Sequence, residues 1–340
     1  MLGEKLLIKL WETLVKDGVG SLASPWQIKR EGKAHAEVRR DEMLMLAQAE
    51  VEVKNIKQGR KQLLPDGKLI EANQVTSENG EVDYLGRLEP TLNLDGFTSK
   101  IESQKKSNEI QQEININKTI CLAEEEILRS KQEPLEKEVD SDWLHRWREN
   151  AKNTSNDELR QLWARTLAGE VKSPGTYSLR TLEFIKNLSQ EEATAISKLG
   201  QFVIGRSIFK VPTLEKEGIN FSFLLQMDDL GIVNGVQGGQ VSGLELSIPS
   251  REQNKYSNEL INRNRILLVE ADDANKKLSL GCYQISKIGA EVLSLGDFSA
   301  SEIYMRELGE QIKRKGFEVK IALWVQTHAD YGQYFNAEEI

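Results

Sequence analysis

Residues 155–188, SNDELRQLWARTLAGEVKSPGTYSLRTLEFIKNL, constrain this chain more than any other stretch. Ser155 and Glu158 have the spacing of a capping box, and Leu159, Leu162, Trp163, Thr166, Leu167 and Val171 recur at helical intervals, so a capped helix with one apolar face is expected. Pro174-Gly175 ends it, Ser178 caps the next helix, and Leu179, Leu182, Phe184, Ile185 and Leu188 form that helix's buried stripe. Ser189 with Glu192 repeats the capping box and starts a third helix through Ala193, Ile196, Leu199 and Val203. Three short helices with their own caps predict a bundle segment. Glu158 and Glu170 with Arg160, Arg165 and Arg180 read as an ion-pair network that sets the angle between helices.

A chain of 340 residues suffices for two or three domains with at least one proper core. Its charged fraction of 29% and mean hydropathy of −0.48 point to solvated helix or disorder over part of its length. A net charge of −8 argues against a surface that binds nucleic acid everywhere, while leaving room for a local basic patch. Cys121 and Cys282 lie far apart with no metal spacing and read as reduced thiols. No run approaches the roughly 20 apolar residues of a membrane span, and Met1 to Trp26 lacks the pattern of a signal peptide. A cytoplasmic location is the expectation.

At the N-terminus, Leu2, Leu6, Leu10, Trp11, Leu14 and Val15 alternate with Lys5, Lys9, Glu12 and Lys16 at helical spacing. Two readings are open for Leu6, Leu10, Trp11 and Leu14: a membrane-surface helix, or a helix packed on a partner or on its own protein. The second is preferred, because Glu4, Glu12 and Asp17 dilute the basic face. Ser24-Pro25 predicts the start of a long charged helix from Trp26 to about Lys57. From Gly59 to about Ser107 periodicity disappears among Pro65-Asp66-Gly67, Asn79-Gly80 and Asp95-Gly96 turns, predicting a flexible linker. Helical pattern returns with Ile110, Ile114, Ile116, Ile120, Leu122, Ile127 and Leu128; this helix pairs with the earlier long one either as an antiparallel hairpin or between subunits. Val139, Leu144, Trp143 and Trp147 mark a further helix whose tryptophans fit a core or interface.

The C-terminal third has a different texture. INFSFLLQMDDLGIVNG reads as a helix turning into a strand. Arg265 to Glu270 and Leu278 to Ile285 read as two strands of a hairpin around Asp272-Asp273-Ala274-Asn275. Ser286 to Leu295 is a short helix, followed by a helix from about Ser299 to Lys315 and a strand over Phe317 to Val325. Helix, hairpin and helix in this order, with YQISKIGAEVLSL similar to the ending common in winged-helix domains, predict a winged-helix-like module.

LRQLWARTLAGEVKSPGTYSLRTLEFIKNLSQEEA, with WLHRWRENAKNTS before it and SPWQIKREGKAHAEVRRDEMLMLAQAEVE near the start, resembles a bacterial domain-of-unknown-function family, number 2806. It is similar, more distantly, to the abortive-infection alpha family, which also pairs a "WA.LLA" helix with an "LS..DA" helix. The resemblance covers about 24–56 and 139–200 and more loosely the C-terminal part, and it implies a link to prophages and phage defence. Trp163, Arg165, Gly169, Glu170, Pro174, Gly175, Ser178, Arg180, Thr181 and Leu182 carry it.

Few residues suggest chemistry. His35, His145 and His328 sit apart from one another, without HxH or HExxH spacing. The glycine-rich Gly235 to Gly243 reads as a loop rather than a phosphate cradle, and neither a P-loop nor a nucleophile elbow occurs. No catalytic residue, metal site or cofactor is expected. The fold class expected is mainly α with a C-terminal α+β part: long N-terminal helices in 1–58, the linker in 59–107, the bundle in 108–205 and the winged-helix-like module in 206–340. The function expected is a non-enzymatic, phage-linked one exercised by self-association and protein contact, with a homo-oligomer as the assembly. Nucleic-acid binding through the C-terminal module is the first alternative, disfavoured by Asp228 and Asp229 on Phe221 to Leu230; membrane disruption by the first helix is the second.

Overall fold

The computed structural model describes residues 2–16, 18, 35–64, 66–71, 94–129, 135–236, 244–326 and 331–340. They are about half helix and one fifth strand, with helices dominating the N-terminal half and sheets the C-terminal part. Two compact units result, one built from residues 4–129 and 137–171 and the other chiefly from 172–340.

The first unit contains α1 (Leu2–Lys16), α2 (His35–Lys57), a hairpin of β1 (Lys61–Leu63) and β2 (Leu69–Glu71), α3 (Leu94–Leu128), α4 (Ser141–Ala151) and α5 (Asp157–Lys172). α2 and α3 run antiparallel within the chain: Lys118 pairs with Glu50 at 2.6 Å, and further along the chain the Leu63 N–H reaches back to the earlier Ser103 hydroxyl of α3 at 3.2 Å. The start expected for α2 at Ser24-Pro25 lies outside the described residues. Part of the expected linker is ordered instead. Gly67, at φ +85°, turns the chain between β1 and β2; the Leu64 N–H donates to the Lys68 carbonyl at 2.9 Å across the turn, and the Lys68 N–H donates to Asp66 Oδ1 at 3.1 Å. α3 begins at Leu94, sixteen residues before Ile110, and over that added length Ser103 and Ser107 are the buried positions, which leaves no apolar periodicity in the sequence.

Leu6, Leu10 and Leu14 on α1 are fully buried, each stabilising the fold by on the order of 2 kcal/mol. That exceeds the whole spread of helix propensity, about 0.7 kcal/mol per ordinary residue, so burial holds α1 in place. α5 starts from Asn156, not Ser155: the Asn156 side chain accepts from the Leu159 N–H at 3.0 Å and its carbonyl from the Arg160 N–H. Asparagine caps as well as serine does, so the expected capping box gives way to the residue beside it.

The second unit contains α6 (Leu179–Lys186), α7 (Gln190–Gly200), β3 (Ser207–Phe209), α8 (Thr213–Lys216), α9 (Phe221–Asp229), β4 (Val233–Asn234), β5 (Leu244–Ile248), β6 (Tyr256–Asn262), β7 (Arg265–Ala271), β8 (Leu278–Ile285), α10 (Lys287–Leu295), α11 (Glu302–Arg314), β9 (Glu318–Gln326) and β10 (Gly332–Glu339). Ser178 caps α6, and Ser189 with Glu192 forms the full capping box of α7. One antiparallel sheet has the order β3-β8-β4, with β5 also on β8; the other has the order β10-β9-β7-β6 and packs α11 against β7 and β9. Both contribute to one core that includes Phe209, Met227, Leu267, Leu280 and Leu308.

The strands expected over Arg265–Glu270 and Leu278–Ile285 form, but they do not pair with each other. β7 pairs with β6 and β9, and β8 lies in the other sheet. The Asn262–Arg265 turn is the shorter closure, with Arg263 at φ +49°, and it pairs β7 with β6, while β9 takes the other edge of β7.

Candidate functional site

A concave, largely apolar surface of the second unit lies beside α9. Lys210, Val211 and Pro212 follow β3 into the one-turn α8; Gly218, at φ +75°, then reverses the chain. Asn220 caps α9 by accepting from the Phe223 N–H at 3.0 Å. Leu224 and Met227 turn inward from α9, which leaves Phe221, Ser222, Gln226 and Asp229 exposed. A groove of about 520 Å³ results, walled by Lys210, Pro212, Leu214, Ile219, Phe221 and Tyr283.

Lys210 is the cation of this groove. Its ammonium lies 4.5 Å from the centre of the Tyr283 ring, a cation–π distance. Burial pushes its pKa below the ordinary lysine value, opposed in part by the Cys282 thiol. Burial, helped by Glu215, raises the Tyr283 hydroxyl. Cys282 is itself fully buried, and burial raises its pKa, so its thiol stays protonated.

β3 ends beside the groove with its outer edge closed. The Phe209 N–H donates to the Tyr304 hydroxyl at 2.8 Å, and that hydroxyl donates to the Phe209 carbonyl at 3.2 Å. Tyr304 is fully buried, which drives its pKa far up and keeps the O–H proton on. One side chain thereby satisfies both polar groups that an added strand would use.

The signature residues fall in both units. Trp163 is fully buried in α5, where its carbonyl accepts from Trp147 Nε1–H at 2.9 Å. Glu170 is buried, and Gly169 half-buried, on the same helix. Of the expected charge cluster, Arg165 pairs with Glu126 at 3.5 Å, Arg160 pairs with Asp157, and Arg180 is exposed on α6. Helical spacing places like and unlike charges on one chain segment, but Glu126, which pairs with Arg165, comes from α3.

Pro174 is buried and Gly175, at φ +95°, forms the corner before α6. Beyond it, Glu291 of α10 accepts from the Ser178 N–H at 2.7 Å and the Thr181 hydroxyl at 2.5 Å. Tyr177 meets Ser294 at 3.2 Å, and Ser294 donates to the Glu291 carbonyl at 2.6 Å. Leu182 is fully buried beside Thr181. Ser178 and Thr181 therefore bind α6 to α10. Glu291 escaped sequence reasoning because a lone glutamate in a short helix gives no sign of its partners more than 100 residues earlier.

In the first unit Leu6, Leu10 and Leu14 are covered by the chain itself, and Trp11, 6% exposed, donates from Nε1 to Glu124 at 2.7 Å. His145 is exposed; His328 and residues 237–243 of the glycine-rich loop lie outside the described residues. Among the described residues no three metal-binding side chains gather, and no helix is long and apolar enough to cross a membrane.

Residues 99–208 match the family described as "Protein of unknown function (DUF2806)", the first of the two families the chain resembles. All ten signature residues lie inside the match, whereas the similar piece at 24–56 lies outside it. No curated protein and no solved structure matches the chain.

Proposed function

We propose that the chain acts by protein contact, with a partner protein and between its own copies, and that α7 to α10 form a winged-helix arrangement serving that contact. The order α7-β3-α8-α9-β4-β8, with the last strand central in β3-β8-β4, supports the arrangement; β5, β6 and β7 stand where a wing hairpin would.

The face of α9 carries the contact reading. In a DNA-reading helix-turn-helix the second helix offers Lys or Arg to phosphates and base edges. α9 offers Phe221, 52% exposed, with Ser222, Gln226 and Asp229, and no basic residue. Aromatic side chains over an apolar groove are what protein interfaces favour. Self-association draws support from α2, where Leu44 and Val51, 54% and 59% exposed, stand one heptad apart.

The phage-defence setting rests on the similarity to the abortive-infection alpha family. The full chain is expected to leave duplex DNA unshifted in a mobility assay at physiological salt. A salt-dependent shift abolished by Phe221→Ala would overturn the contact reading in favour of DNA binding. Light scattering is expected to give a mass above the 38.5 kDa of one chain, and a monomer at micromolar concentration removes self-association. Plating efficiency of temperate and lytic phages on cells with and without the gene tests the setting; equal plating throughout counts against it.

A further inference from the structure

We infer that Asn234 and Gly235 form a site of self-modification, at which the Asn234 side-chain amide is lost through a succinimide and aspartate or isoaspartate takes its place. Water is the co-reactant, and the inference stands apart from the protein-contact reading. Chemistry selects the pair. An asparagine loses its amide when the backbone nitrogen of the next residue reaches Cγ, and a glycine in that place leaves the nitrogen unscreened and the backbone able to turn. Among the described residues Asn234 is followed by glycine and every other asparagine by a residue with a side chain; Asn79-Gly80 lies outside them.

The fold leaves this pair open. β4 is two residues long at the edge of the order β3-β8-β4, and Asn234, which is exposed, makes its last pair, with Gln284. The terminal pair of a ladder opens at little cost. Gly235, at φ +83°, leads the chain out of the strand, and a Cβ placed there would meet nothing within 4 Å. Among the described residues neither the Asn234 side-chain amide nor the Gly235 N–H is engaged in a hydrogen bond. Other asparagines are held: Asn115 donates to the Lys152 carbonyl at 2.9 Å, Asn258 to the Pro249 carbonyl at 2.7 Å and Asn262 to the Gln201 carbonyl at 2.6 Å. Val233 and Val236, both buried, anchor the segment on either side, so the reaction is slower in the folded chain than in a short peptide.

The step balances without oxidant or reductant. The Gly235 nitrogen, its proton taken by hydroxide, attacks Asn234 Cγ; the new C–N bond closes the ring, and the Cγ–Nδ2 bond breaks with release of ammonia. Water then opens the ring. Attack at Cγ returns the normal main chain with aspartate at 234, whereas attack at the backbone carbonyl leaves the chain running through Cβ and Cγ as isoaspartate. Either product adds a negative charge at the end of β4. Isoaspartate also lengthens the main chain by a methylene, which breaks the pairing of residue 234 with Gln284.

The test incubates the full chain in mildly alkaline buffer at body temperature and maps its peptides by mass spectrometry, beside acetyl-Val-Asn-Gly-Val-amide in the same buffer. Circular dichroism at each time point reports whether the chain is still folded. Asn234 is expected to convert to isoaspartate and aspartate, with isoaspartate in excess, while Asn115, Asn258 and Asn262 stay intact. Hydroxylamine, which opens a succinimide, is expected to cut the folded chain between Asn234 and Gly235. Gly235→Ala should slow the conversion by about tenfold, since a methyl screens the attacking nitrogen. An Asn234 that persists in the folded chain after the peptide is consumed overturns the inference, as does conversion that begins only once the dichroism spectrum is lost. A product that is aspartate alone, or a Gly235→Ala chain that converts as fast as the unmodified one, overturns the succinimide route and the inference with it. None of these results touches the contact reading, which fails instead on the DNA shift.

Discussion

A methyl group at Gly289 would lie 2.2 Å from the Ile232 carbonyl oxygen and 3.0 Å from its carbon. α10 therefore crosses the end of the α9–β4 turn at backbone distance, where the Ser286 N–H donates to that same carbonyl at 2.9 Å. Gly289→Ala should destabilise the chain by about 1–3 kcal/mol or more, seen as a lower urea midpoint, because backbone cannot swing aside. Thr181→Val deprives the buried Glu291 carboxylate of one of its donors and should cost about 1–3 kcal/mol in the same assay. Tyr304 gives the clearest pH dependence. Its folded pKa lies above the unfolded value of about 10, so its contribution is complete below about pH 10 and is lost as pH rises beyond that. The unmodified chain should lose Tm steeply above about pH 10. Tyr304→Phe should flatten that limb while lowering Tm at neutral pH, since the Phe209 N–H and carbonyl lose their partner.

Among elements, α5 separates two capping hypotheses that differ by one residue. Asn156→Ala should cost about 1 kcal/mol, whereas Ser155→Ala should be close to neutral, since Ser155 contributes its backbone carbonyl to Arg160. α1 makes a similar distinction. Leu10 is fully buried, and Leu10→Ala should cost about 2–5 kcal/mol in chemical denaturation. An unchanged midpoint would instead show that the stripe of Leu6, Leu10, Trp11 and Leu14 is open in solution to a membrane or a partner. In the second unit, β7 and β8 are neighbours in sequence but belong to different sheets. The seven residue pairs from Tyr256↔Ala271 to Asn262↔Arg265 close over a two-residue turn, a shorter loop than Asp272–Asn275 offers.

At the scale of the whole molecule, the matched stretch 99–208 runs through the end of the helical unit and into the second one, so the Ser155–Leu188 region joins two units rather than filling one. Its residues make contacts in both: Trp163 in the core of one, Ser178 and Thr181 with Glu291 of α10 in the other. Capped helices, the Pro174-Gly175 corner, the apolar stripe of α1 and the strands at Arg265 and Leu278 were all legible in the sequence by itself. Each depends on residues no more than about four apart, and such local chemistry acts wherever the chain goes. Tertiary structure alone decided which strands pair, that α1 turns its leucines into its own protein, that Arg165 finds Glu126, and that Glu291 receives Ser178 and Thr181. The groove belongs to the same class. Lys210, Phe221 and Tyr283 are ordinary residues in the sequence; β8 carries Tyr283 beneath Lys210 from more than 70 positions away, because pairing Phe209 with Cys282 buries both strands. Contacts across such distances depend on the total burial they achieve, which no local pattern records.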